Sequence, residues 1–188
     1  MKQNDFFTVR APLKTNIKPL AVGEPTPSFE DYLAQIPAPF AASSEFSALE
    51  QQNDAATHEL NQHNLRHVAQ LIEQQNSKLN LLLNYLISQQ DQAEFRHTAT
   101  QFGAGELTYR ANHTLQTGQF AEVKLFLDHP PAGIYCIGEV SHIKEHQDQF
   151  DITIRFVHIL EEHQDMLIKA ALHQQQKLLR QRSLDREK

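Results

Sequence analysis

The sequence lacks several features on which secreted proteins, membrane proteins and many metal sites depend. Its 188 residues include a single cysteine, Cys136, which excludes an internal disulfide framework and any paired-cysteine metal site. Cys136 lies in an alternating apolar segment, so we interpret it as a small core residue and not as a nucleophile. No stretch approaches the ~18–20 uninterrupted apolar residues of a membrane span, and the N-terminus has no signal-peptide core. These absences predict a cytoplasmic protein with no membrane span.

Positive charge is also scarce. The chain has 17 lysine and arginine residues against 23 acidic ones, which gives a formal net charge of -6. Nucleic-acid binding relies on clustered cations, and the only basic cluster occupies residues 177–188, where cations suit the end of a helix. We therefore expect no nucleic acid as the primary ligand.

Catalytic motifs are missing as well. No serine or cysteine lies in a nucleophile turn, and no glycine-rich phosphate loop precedes a helix. His63 and His67 have the i, i+4 spacing of a zinc pair, but their neighbours are polar. His58-Glu59 upstream does not continue into an HExxH motif, because residue 62 is Gln. We interpret this histidine pair as part of a solvent-facing helix. The sequence predicts no enzyme, no metal site and no resident cofactor.

Prolines shape the first part of the chain. Residues 5–24 predict an irregular first strand, because Pro12 and Pro19 exclude a helix and suit only an edge or interrupted strand. Residues 25–43 predict a linker that contains one short helix, from Phe29 to Gln35.

The rest of the chain divides into a helix, a group of strands and a second helix. Residues 44–92 contain neither glycine nor proline and predict one long helix that would span roughly 70 Å. Residues 93–160 predict a series of short strands, which is typical of a barrel or a sandwich. Residues 161–182 have the i, i+3/i+4 apolar spacing of a closing helix.

The long helix carries a seven-residue apolar repeat over about four heptads, the length at which a coiled coil can be predicted. Its a and d positions are Leu65, Val68, Ile72, Gln75, Leu79, Leu82, Leu86 and Gln89. A 3.5-residue repeat is the geometry of helices that supercoil around one another, so we predict self-association through this segment. The alternative is a single helix that lies across its own barrel. The pattern shifts between Leu60 and Leu65, so we do not expect the coiled coil to extend upstream.

The strand-rich segment resembles the PilZ domain family. Gln101 to Tyr109 takes the place of the family's D/N-x-S-x-x-G turn and the strand after it, and strands around Phe120, Val140 and Ile154 follow at the family's spacing. The resemblance implies an α+β fold of bacterial type, with a small antiparallel six-stranded β-barrel, a long inserted coiled-coil helix and a C-terminal helix. The inserted helix is similar to that of an atypical PilZ group, of cyclic di-GMP receptor type, that tetramerises through parallel heptad helices.

PilZ domains bind cyclic di-GMP through an RxxxR segment before the first strand and through the D/N-x-S-x-x-G turn. Two guanidinium groups suit a ligand with two phosphates and guanine edges. This sequence keeps only part of that pattern. If Arg10 is the first arginine, Lys14 replaces the second, and if Arg10 is the second, Phe6 replaces the first. The turn has Gln101, Gly103 and Glu106 at its three defined positions. The resemblance therefore implies Arg10, Lys14, Gln101 and Gly103 as candidate nucleotide-binding residues.

Together these features predict a non-enzymatic adaptor in cyclic di-GMP signalling, with a role in motility, pili or biofilm control. The adaptor would self-associate, as a tetramer by the resemblance, and would act on a protein partner. Two alternatives are a genuine cyclic di-GMP receptor that uses the residual basic residues, and a purely structural coiled-coil scaffold.

Overall fold

The computed structural model describes residues 7–63, 65–128, 131–146 and 148–186, so residues 5 and 6 of the predicted first strand lie outside the described residues. The strands within these ranges are β1 Thr8–Val9, β2 Leu13–Pro19, β3 Arg96–Gly103, β4 Glu106–Ala111, β5 Phe120–Asp128, β6 Pro131–His146 and β7 Gln149–His158. The α-helices are α1 Phe29–Gln35, α2 Ala38–Gln62, α3 Arg66–Ser88 and α4 Glu161–Arg186, and a short 3-10 helix occupies Ala93–Phe95.

Six of the described strands close into an antiparallel barrel. The strand order is β3-β2-β5-β6-β7-β4, and β4 pairs back with β3. The short strand β1 continues along the same edge of β3 as β2, with Thr8 opposite Gly103 and Leu13 opposite Ala99. β1 and β2 are thus one strand interrupted around Pro12, which cannot donate a ladder hydrogen bond. The predicted α+β fold with a six-stranded antiparallel barrel is confirmed.

Strand β6 is buried on both of its faces. Ile134 and Cys136 belong to the core inside the barrel, whereas Tyr135 and Ile137 belong to a second apolar cluster outside it. The outer cluster also receives residues from α1, α2 and α3. At the other side of the fold, α4 packs against β1 and β3 and adds its apolar face to the barrel core. The barrel wall therefore separates two apolar clusters.

Helix α1 is held against the barrel through Tyr32. The Ser28 side chain caps the helix by accepting a hydrogen bond from the Asp31 N–H at 3.1 Å. Tyr32 is fully buried and its ring stacks on Tyr135, with ring centroids 5.8 Å apart. The Tyr32 hydroxyl donates to the Tyr135 carbonyl and accepts from the Leu160 N–H, each at 3.1 Å. The short helix predicted from Phe29 to Gln35 is observed with the same bounds, and Tyr32 anchors it to the barrel.

The single long helix predicted for residues 44–92 is wrong, because the structure has two helices there. α2 ends at Gln62 and α3 begins at Arg66. Phe40, near the start of α2, and Ile87, near the end of α3, both lie in the outer cluster on β6. The chain therefore leaves the barrel along α2 and returns along α3, with the reversal between Gln62 and Arg66. The reversal occurs at the five-residue gap between Leu60 and Leu65, where the apolar pattern changes register. It allows the start of α2 and the end of α3 to bury apolar side chains on the barrel.

The start of the predicted long helix also needs correction. α2 begins at Ala38, within the segment predicted as a linker. Pro39 lies in the first helical turn, where the missing N–H has no intrahelical partner to lose. The Ser43 hydroxyl donates to the Phe40 carbonyl at 2.7 Å and accepts from the Gly133 N–H at 3.2 Å. These contacts fix the first two turns of α2 on β6, so residues 38–43 are helix and not linker.

Candidate functional site

The four candidate nucleotide-binding residues lie on one ribbon of the barrel wall. Arg10 follows β1 and Lys14 lies in β2, while Gln101 and Gly103 are at the end of β3. Val9 pairs with Phe102 in an antiparallel register, so the next residue, Arg10, lies beside Gln101. Lys14 pairs with Thr98, further along the same two strands. The structure thus places Arg10, Gln101 and Gly103 at one end of the ribbon and Lys14 about four residues away.

Gln101 and Gly103 already have structural roles at this end. The Gln101 side-chain amide donates a hydrogen bond to the Thr8 hydroxyl at 2.5 Å. A Cβ atom at Gly103 would overlap the carbonyl oxygen of Phe7. Gly103 therefore allows the backbone of the first strand to approach β3 closely. Both residues hold β1 against the barrel.

Lys14 is engaged by a carboxylate that the sequence did not single out. Its ammonium group lies 2.5 Å from a carboxylate oxygen of Asp91, whose side chain is only 6% exposed. Arg96 makes a second ion pair with Asp91 at 2.8 Å, and the Asn16 side-chain amide donates to it at 2.9 Å. Burial works to raise the pKa of Asp91, but the hydrogen bonds from Arg96, Lys14 and Asn16 outweigh it and hold the pKa well below its usual range.

Asp91 lies just after α3, so these contacts join the helical hairpin to the barrel. The Gln92 N–H donates to the Asn16 side-chain oxygen at 2.6 Å. The Lys124 ammonium group donates to the Gln90 carbonyl at 3.4 Å. Only a weak sequence signal pointed to this junction, namely an acidic residue at the end of a helix and opposite basic strand residues. A phosphate ligand at Lys14 would have to compensate for the loss of the ion pair between Lys14 and Asp91.

Arg10 differs from the other three candidates. Its side chain is exposed and makes no hydrogen bond or ion pair with any residue that the structure describes. Arg10 is therefore the candidate residue whose guanidinium group could bind an anionic ligand without breaking a contact to another described residue.

The heptad residues form a second candidate site, on α3. Ala69, Leu83 and Ile87 are the buried residues of this helix. The eight predicted a and d residues are exposed, with exposed fractions of 38% at Ile72 and 62% at Leu82. An exposed apolar row of this length is unusual for a monomer and marks an interaction surface. The buried side of α3 packs against α2 and the barrel and lies beside the heptad row, which stays uncovered in the described chain.

The described part of the chain offers little support for a metal site, a cysteine nucleophile or a membrane-spanning helix. No three histidine, cysteine, aspartate or glutamate side chains converge there as a metal site would require. Burial raises the pKa of the Cys136 thiol far above its usual range, which makes it a poor nucleophile. Among the described residues, no helix has both the length and the apolar character to cross a membrane.

Comparison with known proteins finds similarity in structure only. No family model matches the sequence, and no curated protein matches it. A tetrameric PilZ domain from Xanthomonas campestris, self-assembled via a helical bundle, matches with a TM-score of 0.52 and 15% identity over 94% of this chain and 90% of that one. The inhibitor of motility MotI/DgrA from Bacillus subtilis matches with a TM-score of 0.49 and 10% identity over 94% of this chain. This chain spans about half of MotI/DgrA, 53% of its length. The protein has a PilZ-like fold.

Proposed function

We propose that the protein is a non-enzymatic PilZ-like adaptor in cyclic di-GMP signalling, and that it works as an oligomer joined through α3. The observation that carries the proposal is the exposed heptad row of α3 on a PilZ-like barrel. Exposed leucine, isoleucine and valine residues at a 3.5-residue spacing are what a helix needs in order to pack against other helices. The self-assembly of the Xanthomonas campestris PilZ domain via a helical bundle supports the same use of a helix here.

The state of the nucleotide motif supports an adaptor over a receptor. Lys14 is paired with Asp91, Gln101 is bonded to Thr8, and Gly103 serves close backbone packing. A ligand that used Lys14 would have to separate it from a buried carboxylate, which would then lack part of its compensation. An oligomeric adaptor instead presents several copies of one surface to a clustered protein partner, which raises avidity. Control of motility, pili or biofilm is the output that the family resemblance suggests.

The second candidate function is a genuine cyclic di-GMP receptor, and the exposed guanidinium group of Arg10 favours it. Arg10 stands at the family's RxxxR position and has no described partner to give up. A guanidinium group is a good donor to phosphate and to the guanine Hoogsteen edge. A site between two copies of the chain would add the second cation that this motif lacks.

A calorimetric titration of the 188-residue chain with cyclic di-GMP separates the two functions. The adaptor proposal predicts no saturable binding tighter than about 100 μM, and no difference between the wild type and Arg10→Ala. The matched control is Arg66→Ala, which removes another exposed cation, at the start of α3. Micromolar binding that Arg10→Ala abolishes and Arg66→Ala retains would replace the adaptor by the receptor.

A further inference from the structure

Helix α1 carries apolar side chains that its contacts with the barrel leave uncovered. Phe29 and Leu33 are four residues apart, which places them on the same side of the helix, and their exposed fractions are 50% and 42%. Tyr32 is the fully buried residue of this helix. The Phe29 ring also contacts the ring of His158, the last residue of β7, with ring centroids 5.8 Å apart. The exposed pair therefore lies along the side of α1 that faces β7.

Strand β7 adds a third exposed apolar side chain beside this helix. The pairing of β7 with β6 skips one residue between Phe156 and His158, so Val157 is the extra residue of a β-bulge. Val157 is 42% exposed. It directly precedes His158, the residue of β7 that contacts α1. We call Phe29, Leu33 and Val157 the α1 patch.

Contacts beneath α1 hold the α1 patch in a fixed position. The Tyr32 hydroxyl bonds to the Tyr135 carbonyl and to the Leu160 N–H. The Nε2 atom of His158 lies 2.9 Å from the carbonyl oxygen of Pro27, just before the helix. A surface that is already ordered loses little conformational entropy when a partner binds to it.

Carboxylates border the α1 patch. Glu30 lies in the first turn of α1, and Glu161 and Glu162 begin α4, where the chain leaves β7. All three side chains are exposed, and none of them makes an ion pair with another residue that the structure describes. Burial raises the pKa of Tyr32 above its usual range, and the Glu162 carboxylate adds to this effect, which places its charge close to α1.

The nearby cation of β7 does not change the sign of this border. Arg155, two residues before Val157, lies opposite Glu106 on β4 and opposite Glu139 on β6. An apolar patch with a negative border suits a partner segment that presents lysine or arginine beside its apolar residues. Nucleic acids and anionic lipid surfaces carry the wrong charge for such a border.

We propose that the α1 patch, together with the carboxylates of Glu30, Glu161 and Glu162, is the surface on which this adaptor binds a cationic amphipathic segment of a protein partner. This inference rests on the proposed function, because an adaptor needs a surface for its partner. It goes further by naming that surface and the chemistry of the partner. The surface belongs to α1, β7 and α4, so it leaves α3 available for contacts between copies.

The test is the binding of a fluorescently labelled synthetic peptide to the 188-residue chain, measured by fluorescence anisotropy. The peptide is an amphipathic helix of leucine and lysine, and an analogue has glutamate in place of every lysine. We expect the lysine peptide to bind saturably at micromolar concentration. The glutamate analogue should bind at least about tenfold more weakly, because its charges meet carboxylates of the same sign.

Phe29→Ser/Leu33→Ser removes two apolar side chains from the α1 patch, and its affinity for the lysine peptide should fall by about tenfold or more. The matched control is Ile168→Ser/Leu172→Ser, which removes another pair of apolar side chains four residues apart, with exposed fractions of 40% and 45%, from α4. This control should bind the peptide as the wild type does. Far-UV circular dichroism checks that both variants keep the fold.

Glu161→Gln/Glu162→Gln tests the border of the patch separately. We expect this variant to bind the lysine peptide several-fold more weakly, and with less dependence on salt concentration, because exposed charges are screened by ions. Glu45→Gln/Glu73→Gln removes the same charge from exposed positions on α2 and α3. It should keep both the affinity and the salt dependence of the wild type.

Other outcomes overturn the inference. Equal binding of the lysine and glutamate peptides would remove the role of charge, and wild-type affinity in Phe29→Ser/Leu33→Ser would place the peptide elsewhere on the chain. A lower mass of that variant in light scattering would make the α1 patch an interface between copies. Failure of the proposed function is distinguishable, because a monomeric wild type or saturable binding of cyclic di-GMP contradicts the oligomeric adaptor whatever the peptide does. An oligomeric wild type that binds neither peptide overturns the α1 patch alone.

Discussion

At the scale of single residues, His163 is a titratable side chain that is buried in the described part of the chain. It lies in the first turn of α4 and is fully buried, and neither ring nitrogen has a hydrogen-bond partner in the part of the chain that the structure describes. Burial lowers the pKa of His163 to about 4, and the nearby Tyr135 backbone offsets only part of that effect. His163 is therefore neutral in the folded protein over the physiological range.

The lowered pKa makes stability depend on pH with a definite sign. An unfolded histidine has a pKa of about 6.5, so between pH 6.5 and 4 the unfolded chain binds a proton that the folded chain does not. The free energy of unfolding should therefore fall by about 2–3 kcal/mol as the pH drops through this window. His163→Leu removes the titrating group, and we expect a flatter dependence in urea unfolding measured at pH 8, 6 and 4.5. The exposed His173→Leu serves as the control and should keep the wild-type slope; an unchanged slope in His163→Leu would contradict this account.

The residues of the candidate site were only partly predictable from the sequence. The family pattern was enough to select Arg10, Lys14, Gln101 and Gly103, because a motif fixes positions along the chain. It does not report which side chains are already engaged. The partner of Lys14, Asp91, is 77 positions away in sequence, on the far side of α1 and the whole hairpin. No local pattern connects residues that tertiary folding alone brings together.

At the scale of secondary-structure elements, the link between the hairpin and the barrel depends on Asp91. It receives contacts from β2 through Lys14 and Asn16, and from β3 through Arg96. A carboxylate that is 6% exposed is stable only with such partners. Because α3 ends at Ser88, only three residues before Asp91, the contacts set how the helix meets the barrel wall.

Neutralising Asp91 should loosen this junction. We expect Asp91→Asn to lower the free energy of unfolding by about 2 kcal/mol, a value reduced because Lys14 and Arg96 are about half exposed and screened by water. The pKa of Asp91 is depressed in the fold, so its contribution is complete above the unfolded pKa of about 4 and is lost as the pH falls below it. The loss in Asp91→Asn should accordingly be largest at neutral pH and shrink towards pH 3 in urea unfolding. Glu94→Gln neutralises a nearby exposed carboxylate, and an equal loss in that variant would rule out a special role for Asp91.

The helices show what sequence patterns can and cannot predict. The seven-residue apolar repeat and the absence of glycine and proline correctly indicated helix over most of residues 44–88. The reversal between α2 and α3 has no glycine or proline to mark it, and its local signal was the five-residue gap between Leu60 and Leu65. The chain turns there because Phe40 and Ile87 both gain burial on β6, which is a tertiary effect that overrides local helix propensity.

At the scale of the whole molecule, the barrel was the more predictable half of the protein. Alternating strands such as Glu106–Ala111 bury one face inside the barrel and expose the other, so a period of two residues indicates their structure directly. The heptad row was predictable for a similar reason. This row is exposed in the folded chain, so a surface whose pattern suits helix packing has no partner within the described chain.

The assembly of the molecule should therefore collapse when the heptad row is made charged. Ile72→Lys/Leu82→Lys places two cations on the exposed heptad row of α3, and identical copies would then bring like charges together in an apolar contact. We expect light scattering to show an oligomer for the wild type and a monomer for this variant. Because association stabilises only the folded chain, the Tm of the wild type should rise with protein concentration, whereas the Tm of the variant should not. Gln70→Lys/Ser77→Lys adds the same charge on the polar side of α3 and should remain an oligomer with a concentration-dependent Tm. An Ile72→Lys/Leu82→Lys protein that keeps the wild-type mass would show that the heptad row is not the surface through which the chains associate.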